Sequence, residues 1–180
     1  MLSAPQRMGQ RMATGEKMAF LDRLALTLNR LLMILACGLL IVMIFLTCAN
    51  IFLRTVWVPI QGTYELMGYF GAVLTAFALG YTQLHRGHIS VDLVVLGFSK
   101  KAQKVLEGLN ALICMTFFGL VAWRITVYGT TLWQTGEVTE TLRIVYYPFV
   151  YGVALGCATL ALIFLTALVR SFISAKEETS

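Results

Sequence analysis

The sequence predicts an all-α membrane protein with four transmembrane helices, and three observations lead to this fold class. Apolar residues make up 58% of the 180-residue chain, whereas charged residues make up only 13%. The mean hydropathy is +0.78. The apolar residues are gathered into long stretches almost free of charge, each near the roughly 20 residues needed to cross a hydrocarbon core of about 30 Å. This composition excludes a single soluble domain, because the chain has too few polar residues to cover its surface.

The membrane domain is predicted to cover residues 19–170, with a polar segment at each end. Residues 1–18 are polar and contain proline and glycine, so they are expected to form a mobile tail. Residues 171–180 are expected to form a solvated C-terminal tail. Apolar residues recur at helical spacing over 19–28, which predicts a short amphipathic helix at the membrane interface before the first span.

Four spans are predicted, over about 31–53, 62–84, 105–126 and 144–169. The first contains no charged residue. It is also too long for the apolar region of a signal peptide, which has about 7–15 residues. The third contains Arg124, and a charge at mid-depth costs about 2.5–3.5 kcal/mol. Arg124 is therefore expected either to extend its charge toward the interface or to face protein.

The segment at about 89–101 separates the second and third spans. It is apolar at first and then carries serine and lysines. Its apolar part is too short to cross a membrane, so we predict a second interfacial helix here.

The distribution of basic residues predicts the orientation. With both termini in the cytoplasm, eleven of the fourteen basic residues fall on the cytoplasmic side, as the positive-inside rule requires. The positive net charge is thus explained by topology and by contact with anionic lipid, and no nucleic-acid partner is expected.

Small residues form stripes in two of the predicted spans. Such stripes let another helix backbone approach closely. The stripe of the second span either closes on other helices of the chain or docks a partner subunit, and spacing leaves both open. The stripe residues are Gly68, Ala72, Ala76 and Gly80 in the second span and Gly152 and Gly156 in the fourth.

The cysteines and histidines are the remaining candidates for chemistry. Each of the four cysteines lies in an apolar run and none forms a Cys-x-x-Cys pair, so they are predicted to be small packing residues. His85 and His88 are the only histidines, whereas a b-type haem held between two helices needs histidines in separate spans. They are expected instead to flank an interfacial turn in which Gly87 permits a sharp bend. No catalytic, cofactor or metal site is predicted.

Arg54 and Glu65 stand at the outward mouth of the first hairpin. An ion pair between them or a contact with an external partner would explain both charges. A proton-carrying role for Glu65 is a further alternative.

Three stretches carry a resemblance to a known family. They are Asn50-Ile-Phe-Leu-Arg54, Pro59-Ile-Gln-Gly-Thr-Tyr-Glu65-Leu66 and Arg86-Gly-His-Ile-Ser-Val-Asp92. In this order, within a four-span protein of this size, they resemble the small, four-span Q-type membrane subunit of TRAP transporters, the tripartite ATP-independent periplasmic systems. The resemblance covers roughly residues 30–170.

The resemblance implies a non-enzymatic subunit of a secondary transporter in a bacterial inner membrane. In that family a periplasmic binding protein delivers an organic acid to a large permease subunit, which is driven by sodium. The small subunit is expected in equal amount to the large one and to act as its scaffold, with no cofactor of its own because sodium coupling belongs to the large subunit. The alternatives are a membrane redox protein, using haem or quinone and thiols, and an assembly subunit of another membrane complex.

Two groups of residues are assigned on this basis. Candidate contacts with the large subunit or the binding protein are Arg54, Glu65, Glu137, Glu140 and Arg143. The residues expected to shape the cytoplasmic turn are Arg86, Gly87, His88 and Asp92.

Overall fold

The computed structural model describes residues 4–84 and 100–177, which form four α-helices. The helices are α1 (Ala4–Val56), α2 (Thr63–Leu84), α3 (Lys100–Thr135) and α4 (Tyr147–Glu177). The described residues contain no β-strand, only one isolated bridge between Val138 and Val145. The predicted all-α class is confirmed. The predicted interfacial segment at about 89–101 lies almost entirely outside the described residues.

The first helix differs from the prediction because it is continuous. Its 53 residues include the segment 19–28, which was expected to be a separate interfacial helix, and most of the predicted tail over 1–18. The described part of this segment lacks an internal proline after Pro5, so nothing in it forces the helix to break. At 1.5 Å per residue the helix is about 80 Å long, so the hydrocarbon core accommodates only part of it.

Three of the helices are long and apolar enough to cross a membrane. The candidate spans are Arg23–Val56, Gly108–Thr135 and Tyr147–Val169. The third predicted span therefore continues past residue 126, because the chain from Ile125 to Gly136 is uncharged. The helix α2 is not among the candidates, since its glycines, tyrosines, threonines and Glu65 lower its hydropathy.

The helix α4 is the centre of the bundle. It contacts each of the other three helices. In the most apolar part of α4, 44% of the residues are buried, whereas only 11% are buried in the most apolar parts of α1 and α3. One apolar cluster joins α1, α2 and α4 around Leu32 and Phe77, and a second joins α3 and α4 around Leu160 and Phe164.

The helices α1 and α2 run antiparallel, side by side. Near the turn between them, the Thr47 hydroxyl lies 3.7 Å from the Met67 sulfur. At the far end, the buried Asn29 side chain lies against Gly80, in space that a Cβ atom at residue 80 would fill. The helix α2 therefore lies alongside the apolar stretch of α1 over most of its own length.

The helices α2 and α4 cross in close contact. A Cβ atom at Gly156 would lie 2.7 Å from the Ala76 carbonyl oxygen, and one at Gly152 would lie 3.3 Å from Val73. The glycine pair of α4 thus packs directly on α2. The absence of side chains at these two positions lets the backbones come this close.

Candidate partner-binding surface at the loop end of the bundle

The loop end of the bundle is the end at which α1 leads into α2 and α3 leads into α4. It consists of the α1–α2 connection, residues 57–62, and the 136–146 loop.

The α1–α2 connection is held by side chains from both helices. The Ile60 N–H donates to the Asn50 Oδ1 atom at 2.9 Å. The Thr63 hydroxyl, on a residue that is only 1% exposed, donates to the Ile60 carbonyl at 2.8 Å. Pro59 prevents α1 from continuing through this segment. The turn therefore has a defined shape, which brings Glu65 into the first turn of α2.

The 136–146 loop is closed on itself. The Thr139 N–H donates to the Ile144 carbonyl at 2.9 Å, and the Ile144 N–H donates to the Thr139 hydroxyl at 3.3 Å. Arg143 has a positive φ of 51°, a conformation uncommon for residues other than glycine. The loop is thus a compact, hydrogen-bonded turn with the exposed Arg143 side chain at its edge.

Glu65 joins this loop to α2. Its carboxylate accepts the Thr141 N–H at 2.8 Å and the Leu142 N–H at 3.4 Å. An ionised carboxylate has only acceptor atoms and suits these donors. This arrangement makes Glu65 an anchor for the loop, and the alternatives of an ion pair with Arg54 and of a proton carrier gain no support from it.

A second contact between connection and loop is apolar. Gly62 has a φ of 76°, and a Cβ atom at this position would overlap the Leu142 side chain. A glycine is therefore favoured at residue 62 for two reasons. The backbone is left-handed there, and Leu142 occupies the space that a Cβ atom would need. Gly62, just before α2, and Glu65, in its first turn, thus both contact Leu142.

Aromatic residues support the loop from below. The Tyr69 ring stacks on Tyr146 and on Phe149, with centroid distances of 5.4 and 5.6 Å. The Tyr146 hydroxyl donates to Glu137 Oε1 at 2.9 Å. Tyr146 immediately precedes the α4 span, and desolvation raises its pKa, with the hydrogen bond to Glu137 raising it further. At neutral pH the phenol therefore keeps the proton that it donates to Glu137.

The structure brings four of the five predicted contact residues together around the 136–146 loop. Glu65 lies beneath the loop, whereas the loop itself exposes Glu137, Glu140 and Arg143. Arg54 is exposed in the last turn of α1, at the same end. Two aromatic residues of this end are also strongly exposed, Trp57 at 83% and Tyr64 at 77%. The loop end thus presents charges of both signs beside bare aromatic rings.

Sequence reasoning missed several residues that build this surface. Thr141 and Leu142 act through their backbone N–H groups, which no residue pattern reveals. Asn50 belongs to one of the family-like stretches, and an asparagine just before the end of an apolar span was a signal that it caps the following turn. Tyr146 and Tyr69 are 77 residues apart, so their pairing left no local trace.

The small-residue stripe of α2 divides into two halves. Ala76 and Gly80 are buried inside the bundle, against α4 and α1. Gly68 and Ala72 are exposed, and a Cβ atom at Gly68 would meet no other atom within 4 Å. The stripe thus serves internal packing in its second half and leaves its first half open.

The other predicted groups are placed as follows. The cytoplasmic turn at Arg86, Gly87, His88 and Asp92 lies outside the described residues. All four cysteines are free thiols; Cys157 is buried, whereas Cys37 and Cys48 are exposed on α1, so the predicted packing role within this chain is wrong for those two. Among the described residues, no group of three or more His, Cys, Asp or Glu side chains is arranged to hold a metal ion.

The family model described as the DctQ component of tripartite ATP-independent periplasmic transporters matches residues 43–173. This region includes the α1–α2 connection, the 136–146 loop and all of α2 and α3. Comparisons with curated proteins and with solved structures gave no match.

Proposed function

Because the chain belongs to the DctQ component family of tripartite ATP-independent periplasmic transporters, we propose that it is the scaffold of the large permease subunit during sodium-driven uptake of an organic acid. A periplasmic binding protein delivers this substrate. The chain itself catalyses no reaction and holds no cofactor, and the sodium and substrate sites belong to the large subunit.

The observation that carries this proposal is the anchoring of the 136–146 loop by Glu65. A scaffold has to keep its contact surface in one shape while neighbouring subunits move. The two N–H bonds to Glu65, the packing of Leu142 on Gly62 and the stacked rings of Tyr69 and Tyr146 all hold the loop against α2. We propose that the loop end faces the periplasm and contacts the binding protein or the outward surface of the large subunit through Arg54, Glu137, Glu140 and Arg143.

The helix α2 supplies the fourth span in this proposal. Its 22 residues make a helix of about 33 Å, long enough for a hydrocarbon core of about 30 Å. Its neighbours support the same depth, because α1 and α4 flank it over most of its length. Its polar residues are tolerable there, since part of its surface faces other helices rather than lipid.

The proposed orientation places both termini in the cytoplasm. Four antiparallel crossings return the chain to its starting side. The basic residues of the N-terminal part and the two chain ends then lie inside, as the positive-inside rule requires. Arg54 and Arg143 lie at the opposite end of the bundle. The positive-inside rule allows a small number of basic residues on the periplasmic side, so their position agrees with this orientation.

Purification of the tagged chain from its native membrane, in mild detergent, tests the proposal. We expect a large multi-span permease subunit to co-elute in about equal amount, identified by mass spectrometry of the eluate. Recovery of a stable, monodisperse chain without such a partner would contradict the scaffold function. Reconstitution with the permease and binding protein then tests the coupling, because organic acid uptake should require an inward sodium gradient.

A further inference from the structure

Arg124 is a charged residue inside the α3 span. Arg124 lies within the candidate span Gly108–Thr135, and its side chain is exposed on the surface of the bundle. None of the described residues forms an ion pair or a hydrogen bond with it. An exposed guanidinium in an apolar span is costly unless an anionic or polar group meets it.

Arg124 is at the centre of an exposed face of α3, and the Tyr128 end of this face lies beside Tyr146 at the start of α4. Phe117, Leu120 and Tyr128 are separated from it by seven, four and four positions, and their side chains are 59%, 61% and 54% exposed. Residues at these spacings share one side of a helix. Ala111 and Ala122 are buried on the opposite side of α3, and Ala111 belongs to the apolar cluster that α3 shares with α4. We call the exposed residues Phe117, Leu120, Arg124 and Tyr128 the outer face of α3.

The depth of Arg124 argues against a water-exposed position. Sixteen residues separate it from Gly108 and eleven from Thr135, the two ends of the candidate span. At 1.5 Å per residue these separations are about 24 and 17 Å along the helix. Arg124 is therefore about 4 Å from the middle of the 28-residue candidate span, and a hydrocarbon core of about 30 Å centred on this span would hold it near mid-depth.

The direction of the side chain strengthens this argument. Side chains on an α-helix lean toward the helix N-terminus. For Arg124 that direction leads toward Gly108, away from the nearer polar end at Thr135. The guanidinium would therefore have to turn against the direction in which the side chain leaves the helix in order to reach the headgroups at the loop end. A group at the same depth, on a neighbouring molecule, meets the charge more easily.

We propose that the outer face of α3 docks a transmembrane helix of the large permease subunit, and that this helix carries an aspartate or glutamate opposite Arg124. The proposal rests on the proposed function, which supplies the partner. Phe117, Leu120 and Tyr128 provide the apolar contact area around the charge pair. Charge complementarity selects this occupant over lipid tails, which contain no group that could pair with a guanidinium.

The first test measures the partner that co-purifies with tagged, full-length variants. Arg124→Leu would leave the partner carboxylate buried and unpaired, so we expect roughly tenfold less permease subunit in the eluate, and still less with Arg124→Glu. Arg124→Lys keeps the charge and should retain most of the partner. Arg30→Leu is the matched control, because it removes an exposed arginine from the end of the apolar part of α1 and should leave the yield unchanged.

A second measurement avoids the risk that a charge variant fails to fold. A photo-reactive benzoyl-phenylalanine replaces Phe117 on the outer face, or Phe45 on α1, where the side chain is 71% exposed. Irradiation of native membranes should join the probe at residue 117 to the permease subunit, and the probe at residue 45 should not. Adducts of residue 117 with lipid alone would overturn the proposal and assign Arg124 to lipid phosphate.

The outcomes separate this inference from the function on which it rests. If the wild-type chain recovers no permease subunit, both fail together. If the wild-type chain recovers the subunit and the Arg124→Leu and Arg124→Glu variants recover it equally well, only the docking face is overturned. In the Arg124→Glu variant, an acidic residue in a span of the permease subunit can then be replaced by a basic one. If this second change restores the complex, that acidic residue is the partner of Arg124.

Discussion

The Glu65 carboxylate accepts the backbone N–H of Thr141 at 2.8 Å, across 76 positions of the chain. This bond joins the first turn of α2 to the loop between α3 and α4, and thereby joins the two helical hairpins at one end of the bundle. The two hairpins are otherwise held together by apolar packing around α4. The Glu65 anchor gives the loop end a defined geometry that apolar packing alone would not impose.

Glu65→Ala should loosen the 136–146 loop without unfolding the bundle. The substitution removes the acceptor for the Thr141 and Leu142 N–H groups, while the apolar clusters around Phe77 and Phe164 stay intact. We expect amide hydrogen exchange to become faster in the loop and to remain unchanged in α4. Glu140→Gln is the control, since it removes an exposed carboxylate from the same loop and preserves the Glu65 anchor; unchanged exchange in the Glu65 variant would remove its anchoring role.

Gly156→Ala should weaken the crossing of α2 and α4. The added methyl group would lie 2.7 Å from the Ala76 carbonyl oxygen, and a backbone atom cannot move aside as a side chain can. Overpacking of this kind costs about 1–3 kcal/mol. The thermal unfolding midpoint of the purified protein in detergent should fall accordingly. Gly38→Ala adds the same methyl group where no atom lies within 4 Å, so its midpoint should not fall, and equal losses in both variants would contradict the close crossing.

The raised pKa of Tyr146 predicts that the folded protein loses stability in alkaline solution. The raised pKa means that the folded protein holds the phenolic proton more tightly than the unfolded chain, whose tyrosine titrates near the ordinary value of 10.0. Above that pH the unfolded chain therefore binds fewer protons, and stability falls as the pH rises toward the folded pKa; below it the contribution is constant.

The unfolding midpoint, measured from pH 8 to about pH 11, checks this prediction. Tyr146→Phe removes the ionisable group and should make the alkaline decline shallower. Tyr64→Phe is the control, because it removes an exposed hydroxyl from the same end of the bundle. Identical slopes for the Tyr146 variant and the wild type would show that Tyr146 does not carry the alkaline loss of stability.

The proposed topology predicts opposite labelling of the loop and the C-terminus. In intact spheroplasts, a membrane-impermeant maleimide should react with Glu140→Cys, and with Lys176→Cys only after permeabilisation. The wild-type chain, labelled in parallel, reports the background from its own four cysteines. Labelling of the Lys176 variant from outside would reverse the orientation.

The sequence predicted which of the described residues lie at the loop end of the bundle. It did not predict which contacts these residues make. The topology that the positive-inside rule favours predicts Glu65, Glu137, Glu140 and Arg143 on one outward side. Their geometry could not be predicted in the same way. Glu65 binds backbone N–H groups of Thr141 and Leu142, and such donors are present at almost every position of any sequence.

The sequence by itself determined the all-α class, the apolar stretches and the polar loop between the last two helices. These features depend on local hydropathy and on helical periodicity, which adjacent residues encode. It also indicated a glycine pair suited to close packing at Gly152 and Gly156, because small residues at helical spacing are a local pattern.

Only the tertiary structure decided how these helices are arranged. It placed α4 at the centre, divided the α2 stripe into a buried and an exposed half, and turned Arg124 away from the bundle. The physical reason is that an apolar helix in a membrane protein has similar residues on all sides, so hydropathy does not identify the inner face. Backbone approach and side-chain fit between distant segments make that choice, and these depend on pairs of residues that no local pattern connects.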